Sequence, residues 1–219
     1  MRVKRALAAL TTVLAVAAGN GLTAMPAVAA ADPAATQCSP EFLDADSRLG
    51  PQTLPAEGPV AFMVHGYRRL AGLSAGQFLA TYWDPAANGG QGGWRYPPDN
   101  GFLILDGVPV EFPFTLVPGQ EVDRFGSEYG GFLAPEDTPY ADRALPPQSL
   151  DDFDPAYTCN YHLYRVLKRF TAETGPIAAG FGQPGGGLQF QLVSSLLPGA
   201  PATVTVMWLV SHGYLQRLN

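Results

Sequence analysis

At 219 residues, with 47% hydrophobic and 15% charged side chains, the chain is apolar enough to bury a full core and is not disordered by composition. Its 25 glycines and 21 prolines exclude a helix-rich fold and predict short strands joined by irregular loops. The net charge is −6, and removing Arg2, Lys4 and Arg5 with the first thirty residues leaves 10 basic against 19 acidic side chains, about −9. That balance argues against nucleic acid or an anionic membrane as partner, since both need a positive surface.

Residues 1–30 read as a secretory signal peptide, with three early basic residues, an apolar run over 6–18 and small residues at 26–30 for cleavage. Asn20 interrupts the run and leaves it short of the roughly twenty apolar residues that span a bilayer, which disfavours a membrane anchor. About 190 residues remain, the size of one domain. Export would place the two cysteines, Cys38 and Cys159, in an oxidising setting with one intramolecular pairing available; two buried thiols are the alternative.

Next comes a small-residue leader to Gln37, then an acidic, Pro-rich extended wrap over 38–58. Residues 59–64 are predicted as a short β-type run, and Ser74 as the cap of a short helix through Tyr82. Residues 83–101 are expected to be an ordered surface loop, because Trp94 and Tyr96 need somewhere to pack. Asp106-Gly107 predicts a tight turn between the apolar runs 102–105 and 108–112. Residues 150–155, with Asp151, Asp152 and Asp154, are expected to be a solvated loop rather than a set of catalytic carboxylates. Residues 157–171 fit an amphipathic strand or, through Leu163, Leu167 and Phe170, a helix, with 161–166 read as strand; further strands are predicted over 188–196 and 204–210, the last β-branched and aromatic.

The sequence has no Gly-x-Ser-x-Gly elbow, P-loop, His-Glu-x-x-His or Cys-x-x-Cys. His65, His162 and His212 have no ligand-like spacing, so serine and metal hydrolase chemistry is disfavoured and no metal site is expected. Residues 123–147 are more informative. Arg124 precedes Phe125-Gly126, and Arg143 lies between Tyr140 and the rigid Ala144-Leu-Pro-Pro147. Two guanidinium forks on a structured loop would clamp a pyrophosphate, with Phe125, Tyr129, Phe132 and Tyr140 offering flat faces to adenine or nicotinamide. The competing reading pairs each arginine with a neighbouring acid, Asp123 or Asp142, as surface salt bridges. The second glycine-rich stretch, Gln183-Pro-Gly-Gly-Gly-Leu-Gln-Phe-Gln191, holds Gly185 and Gly186. It either lets a ligand approach the backbone, with Gln183 or Gln189 presenting an amide, or makes a tight turn between strands.

The ordered set Asp-Arg-Phe-Gly-x-x-x-Gly-x-Phe-Leu-x-Pro, Thr-Pro-Tyr-x-x-Arg-Ala-Leu-Pro-Pro and Phe-Gly-Gln-Pro-Gly-Gly-Gly-x-Gln-Phe resembles the tuberculosis necrotizing toxin (TNT) family of NAD glycohydrolases. Upstream, Trp94-Arg-Tyr-Pro-Pro98 and Gly101-Phe102 resemble that family's secreted fungal surface enzymes. The resemblance implies an α+β fold: a signal peptide at 1–30, an extended segment at 31–58, a lid or thumb at 59–116 and a β-rich catalytic domain at 117–219. It implies that Arg124 and Arg143 contact the phosphates or ribose of NAD, that Phe132 stacks in the nicotinamide region, and that Gln189 is essential for hydrolysis, with Gln183 framing the pocket. NAD, and by extension NADP, would be substrate rather than cofactor. Fungal members can be dimeric with calcium near the C-terminus. Here residues 211–219 carry no acidic cluster, so no calcium is expected. ADP-ribosyl transfer or cyclisation, and a non-catalytic nucleotide-binding module, are the alternative outcomes of the same pocket.

Overall fold

Seven short strands pair antiparallel into one sheet in the computed structural model, which describes residues 33–219. They are β1 (Phe112–Leu116), β2 (Glu121–Phe125), β3 (Phe132–Pro135), β4 (Tyr161–Val166), β5 (Phe170–Pro176), β6 (Leu188–Gln191) and β7 (Leu215–Arg217). Across the sheet the order is β7-β4-β2-β3-β6-β5-β1. Two helices, α1 (Gly58–Val64) and α3 (Val206–Ser211), lie against it, and α2 (Ala75–Tyr82) packs instead with Leu49 and Phe181. The mixed architecture is the expected α+β class. The signal-peptide expectation, residues 1–30, lies outside the described residues.

Period-two burial divides the sheet into two faces. Val122, Leu133, Tyr164, Val166 and Phe190 pack on one face with Val206 and Leu209 of α3. On the other, Phe125 and Tyr161 pack with Val60, Met63 and Val64 of α1 and with the disulfide between Cys38 and Cys159. The N-terminal segment is thereby bonded covalently to the chain just ahead of β4. The hairpin at Asp106-Gly107 and the Ser74 cap form as expected, the latter as a complete capping box with Gln77. Trp94 finds its packing partners in Phe78, Trp83 and Phe181.

Four sequence expectations are corrected. Residues 59–64 are helical, not a β-type run: Pro59 sits in the first turn, where its missing N–H costs nothing, and Val60, Met63 and Val64 fall on one buried helical face. Residues 204–210 are likewise helical from Val206, because the Thr205 side chain accepts from the Trp208 amide at 3.1 Å and outweighs the β propensity of the valines. Asp151, read as part of a solvated loop, is 1% exposed. The predicted strand at 188–196 ends at Gln191 and is followed by a single turn of 3-10 helix, Ser194–Leu196.

Candidate active site

The site begins where β2 and β3 part company. Their pairing is limited to Val122 with Pro135 and Asp123 with Ala134, after which β3 pairs instead with β6. The loop 126–131 closes the opening, and beneath it lies a cavity of about 510 Å³, in the usual range for a small-ligand site. Arg124, Phe125, Phe132, Arg143 and Gln189 all line this cavity. Strands far apart in sequence thus bring these candidates together.

Arg124 holds the parted ends together. Its Nε donates to the Gly126 carbonyl at 3.1 Å and its Nη1 to the Phe132 carbonyl at 2.7 Å. Among the described residues no carboxylate forms an ion pair with it, and the Glu128 carboxylate acts on it only from a longer range. Burial pushes its pKa down from the ordinary arginine value, yet an arginine remains charged at any physiological pH. Gly130 makes the seat: a β-carbon there would run into the Arg124 guanidinium. The loop is fixed from behind, because the amides of Val206 and Met207 donate to the carbonyls of Gly130 and Glu128, both at 2.9 Å. Glu128 in turn accepts from Tyr164 Oη at 2.7 Å and Arg217 Nε at 2.8 Å. Burial opposes the Glu128 charge, but Arg217 and Tyr164 hold its carboxyl below the usual range.

Arg143 has a different environment. It forms a two-pronged ion pair with Asp123, at 2.5 and 2.8 Å, and donates from Nε to the Thr138 carbonyl at 2.8 Å. Its guanidinium carbon lies 5.1 Å from the Phe125 ring centroid. The pairing with Asp123 anticipated as a surface salt bridge is therefore a buried one. Desolvation raises the Asp123 carboxyl above its ordinary value, against the charge and hydrogen bonds of Arg143 and the phenol of Tyr161.

Gln189, on β6, is nearly buried and donates from Nε2 to the Asn100 carbonyl at 3.0 Å. Phe132, 36% exposed, stands at the mouth, whereas Phe125 is buried. Five other candidates do not line this cavity. Tyr140 is fully buried, with its hydroxyl on the Pro146 carbonyl and its ring edge-on to Phe125. Tyr129 projects into solvent beside a smaller cavity. Gln183 donates to the Arg68 carbonyl at 2.9 Å, tying the glycine-rich loop to the N-terminal segment. Gly185 packs against the Ile177 and Ala178 carbonyls, where a β-carbon would come within 2.6 Å, and the Gly186 amide donates to the Ile177 carbonyl. The glycines therefore let the loop fold back on its own strand.

Sequence reasoning did not single out Asn100, Ser127, Ser149 or Ala178, which also line the cavity. Asn100 lies two residues beyond the Trp94–Pro98 motif, and only the third dimension brings it to Gln189. His162, directly opposite Arg124 in register, is buried, and that burial lowers its pKa. His65 and His212 lie on the surface, and among the described residues no group of three His, Cys, Asp or Glu side chains gathers as a metal site would require.

Residues 115–218 match the family model described as tuberculosis necrotizing toxin. The conidial surface nicotinamide adenine dinucleotide glycohydrolase nadA of Aspergillus fumigatus is 40% identical over 179 residues, covering 81% of this chain and 71% of that protein. Among solved structures, the tuberculosis necrotizing toxin in complex with its immunity factor aligns over 82% of this chain and 83% of its own, at 22% identity and a TM-score of 0.45. The family assignment rests on the two sequence relationships.

Proposed function

The chain belongs to the tuberculosis necrotizing toxin family and is an NAD glycohydrolase, and we propose that it cleaves the nicotinamide–ribose bond in the cavity between β2, β3 and β6, with Gln189, Arg124 and Arg143 as its working residues. The observation that carries the residue assignment is the convergence of an arginine without an ion-pair partner, a buried ion pair and an anchored amide on one cavity beside an aromatic mouth.

The substrate explains why these residues suffice. The nicotinamide of NAD is a cationic leaving group, so the C–N bond breaks toward an oxocarbenium-like ribosyl cation without prior protonation, and the bonding electron pair stays on the ring nitrogen. One water then adds to the ribose carbon and loses a proton, giving nicotinamide and ADP-ribose. Hydrolysis of O-glycosides needs a pair of carboxylates, one to protonate a poor leaving group; this reaction does not. The protein's share is positioning and electrostatics. Arg124 is assigned to the diphosphate or ribose oxygens, because it lines the cavity and no carboxylate forms an ion pair with it among the described residues. Phe132 takes a flat face of the substrate, with Phe125 beneath. Arg143, whose donors are engaged by Asp123 and Thr138, acts from the floor of the site as part of the pair. Gln189 presents its amide oxygen to a ribose hydroxyl or to the attacking water.

Nicotinamide release from NAD by the purified protein, compared with Gln189→Ala, tests the assignment. Loss of release in a folded Gln189→Ala protein is the expected result, and undiminished release would remove Gln189 from the site. We also infer that the chain is exported. The paired Cys38 and Cys159 suit an oxidising compartment, and the related A. fumigatus enzyme is named for the conidial surface. Residues 1–30 fused to a reporter should carry it out of the cell; retention would count against export.

A further inference from the structure

A strained turn in the N-terminal segment lies against the amide of Gln189. Asp99, Asn100 and Gly101 occupy the left-handed region in succession, with φ of 49°, 56° and 78°. Two consecutive non-glycine residues in this region are costly for L-amino acids and persist where the surroundings hold them. The surroundings here do. The Gly101 amide donates to the Pro98 carbonyl at 3.0 Å, and the Phe102 amide to the Asp99 carbonyl at 3.1 Å. The Ala178 amide donates to the Gly101 carbonyl at 2.8 Å, and Phe102 is fully buried.

The strand next to Gln189 is shaped to receive this turn. Gln189 pairs with Gly175, and a β-carbon at Gly175 would collide with the Val110 carbonyl and crowd the Phe102 ring. A glycine at that place therefore lets the N-terminal segment lie directly on the sheet beside Gln189. The Asn100 carbonyl then accepts from Gln189 Nε2 at 3.0 Å.

An amide has a donor end and an acceptor end, and its terminal torsion is soft and roughly two-fold. A carbonyl partner accepts only from the nitrogen end. We propose that Asn100 is a positioning residue that acts through its backbone: the left-handed turn at 99–101 aims the Asn100 carbonyl at Gln189 and so holds the amide with its oxygen available as acceptor for a ribose hydroxyl or water. This rests on the reading of Gln189 as a working residue. The N-terminal segment is then part of the active-site machinery, and the family-matched half of the chain is incomplete without it.

The backbone character of the contact gives the test. Valine is strongly disfavoured at positive φ, whereas glycine adopts it freely. Asn100→Val is expected to lower kcat for NAD about five- to tenfold, the scale of one lost hydrogen bond, with KM changed less than about twofold. Asn100→Gly, which has no side chain but permits the turn, is expected to recover most of that loss. Asn100→Ala should fall between the two and takes the place of the valine variant if that protein does not fold. A glycine variant as impaired as valine would show that the side chain matters and overturn the proposal, as would a valine or alanine variant with undiminished kcat. Gln189→Ala measured alongside separates the two levels: if it stays active, the reading of Gln189 fails, and if it is inactive while the Asn100 series is flat, the positioning role fails.

Discussion

Arg143 donates to both carboxylate oxygens of Asp123, at 2.5 and 2.8 Å, with side chains only 3% and 0% exposed. A buried pair contributes little beyond an apolar isostere, but removing one partner leaves the other as an uncompensated charge in a medium that cannot solvate it. Asp123→Asn is therefore expected to destabilise the protein by roughly 3–5 kcal/mol. Urea denaturation measures this, and a loss below about 1 kcal/mol would mean that water reaches the Arg143 guanidinium.

Gly130 is expected to be a sensitive position although no substrate atom need touch it. Alanine is compatible with its backbone, so the disturbance falls on Arg124, whose guanidinium occupies the space of the missing β-carbon. If Arg124 binds the substrate anion, Gly130→Ala should lower kcat/KM about ten- to a hundredfold, the scale of a charge-assisted hydrogen bond, with the melting temperature changed little. Wild-type kinetics in this variant would separate Arg124 from substrate binding.

The Cys38–Cys159 disulfide closes a loop with a sequence separation of 121. In the chain-entropy picture such a crosslink adds roughly 4–5 kcal/mol by restricting the unfolded chain. The Cys38→Ser/Cys159→Ser protein should lose stability on that scale, and reductant should lower the midpoint of the wild type but not that of the double variant.

Asp151 should make stability depend on pH. It is 1% exposed, neither carboxylate oxygen has a hydrogen-bond partner, and burial pushes its pKa up to about 7, with Arg69 opposing the shift and Asp152 adding to it. An acid whose folded pKa lies above its unfolded value binds its proton more tightly in the folded state. Stability from this group is therefore full below about pH 4 and declines as pH rises toward and through 7. Asp151→Asn should melt higher than wild type at pH 8, by about 2–4 °C for each kcal/mol recovered, with the gain shrinking towards pH 4. An equal difference at both pH values would rule out titration of Asp151 as the cause.

The sequence by itself determined the chemistry available and much of its location. The run from Asp123 to Pro147 and the stretch ending at Gln191 carried the family motifs, and Arg124, Arg143, Phe125, Phe132 and Gln189 all line the cavity. The capping box at Ser74, the turn at Asp106-Gly107 and the strand over 161–166 were legible because each depends on neighbours within a few residues. Only tertiary structure decided how those residues are placed. The short apolar runs 59–64 and 204–210 read as strands, and the helix starts at Pro59 and Thr205 together with burial against the sheet made them helices. Arg124 and Arg143 look alike in sequence, yet one donates to two backbone carbonyls and the other forms an ion pair with Asp123, because the parting of β2 and β3 puts their side chains in different surroundings. The contact of Asn100 with Gln189 spans 89 positions, and no local pattern encodes a partner at that distance. It exists because the sheet places Gly175 beside Gln189 and leaves room for another segment's backbone.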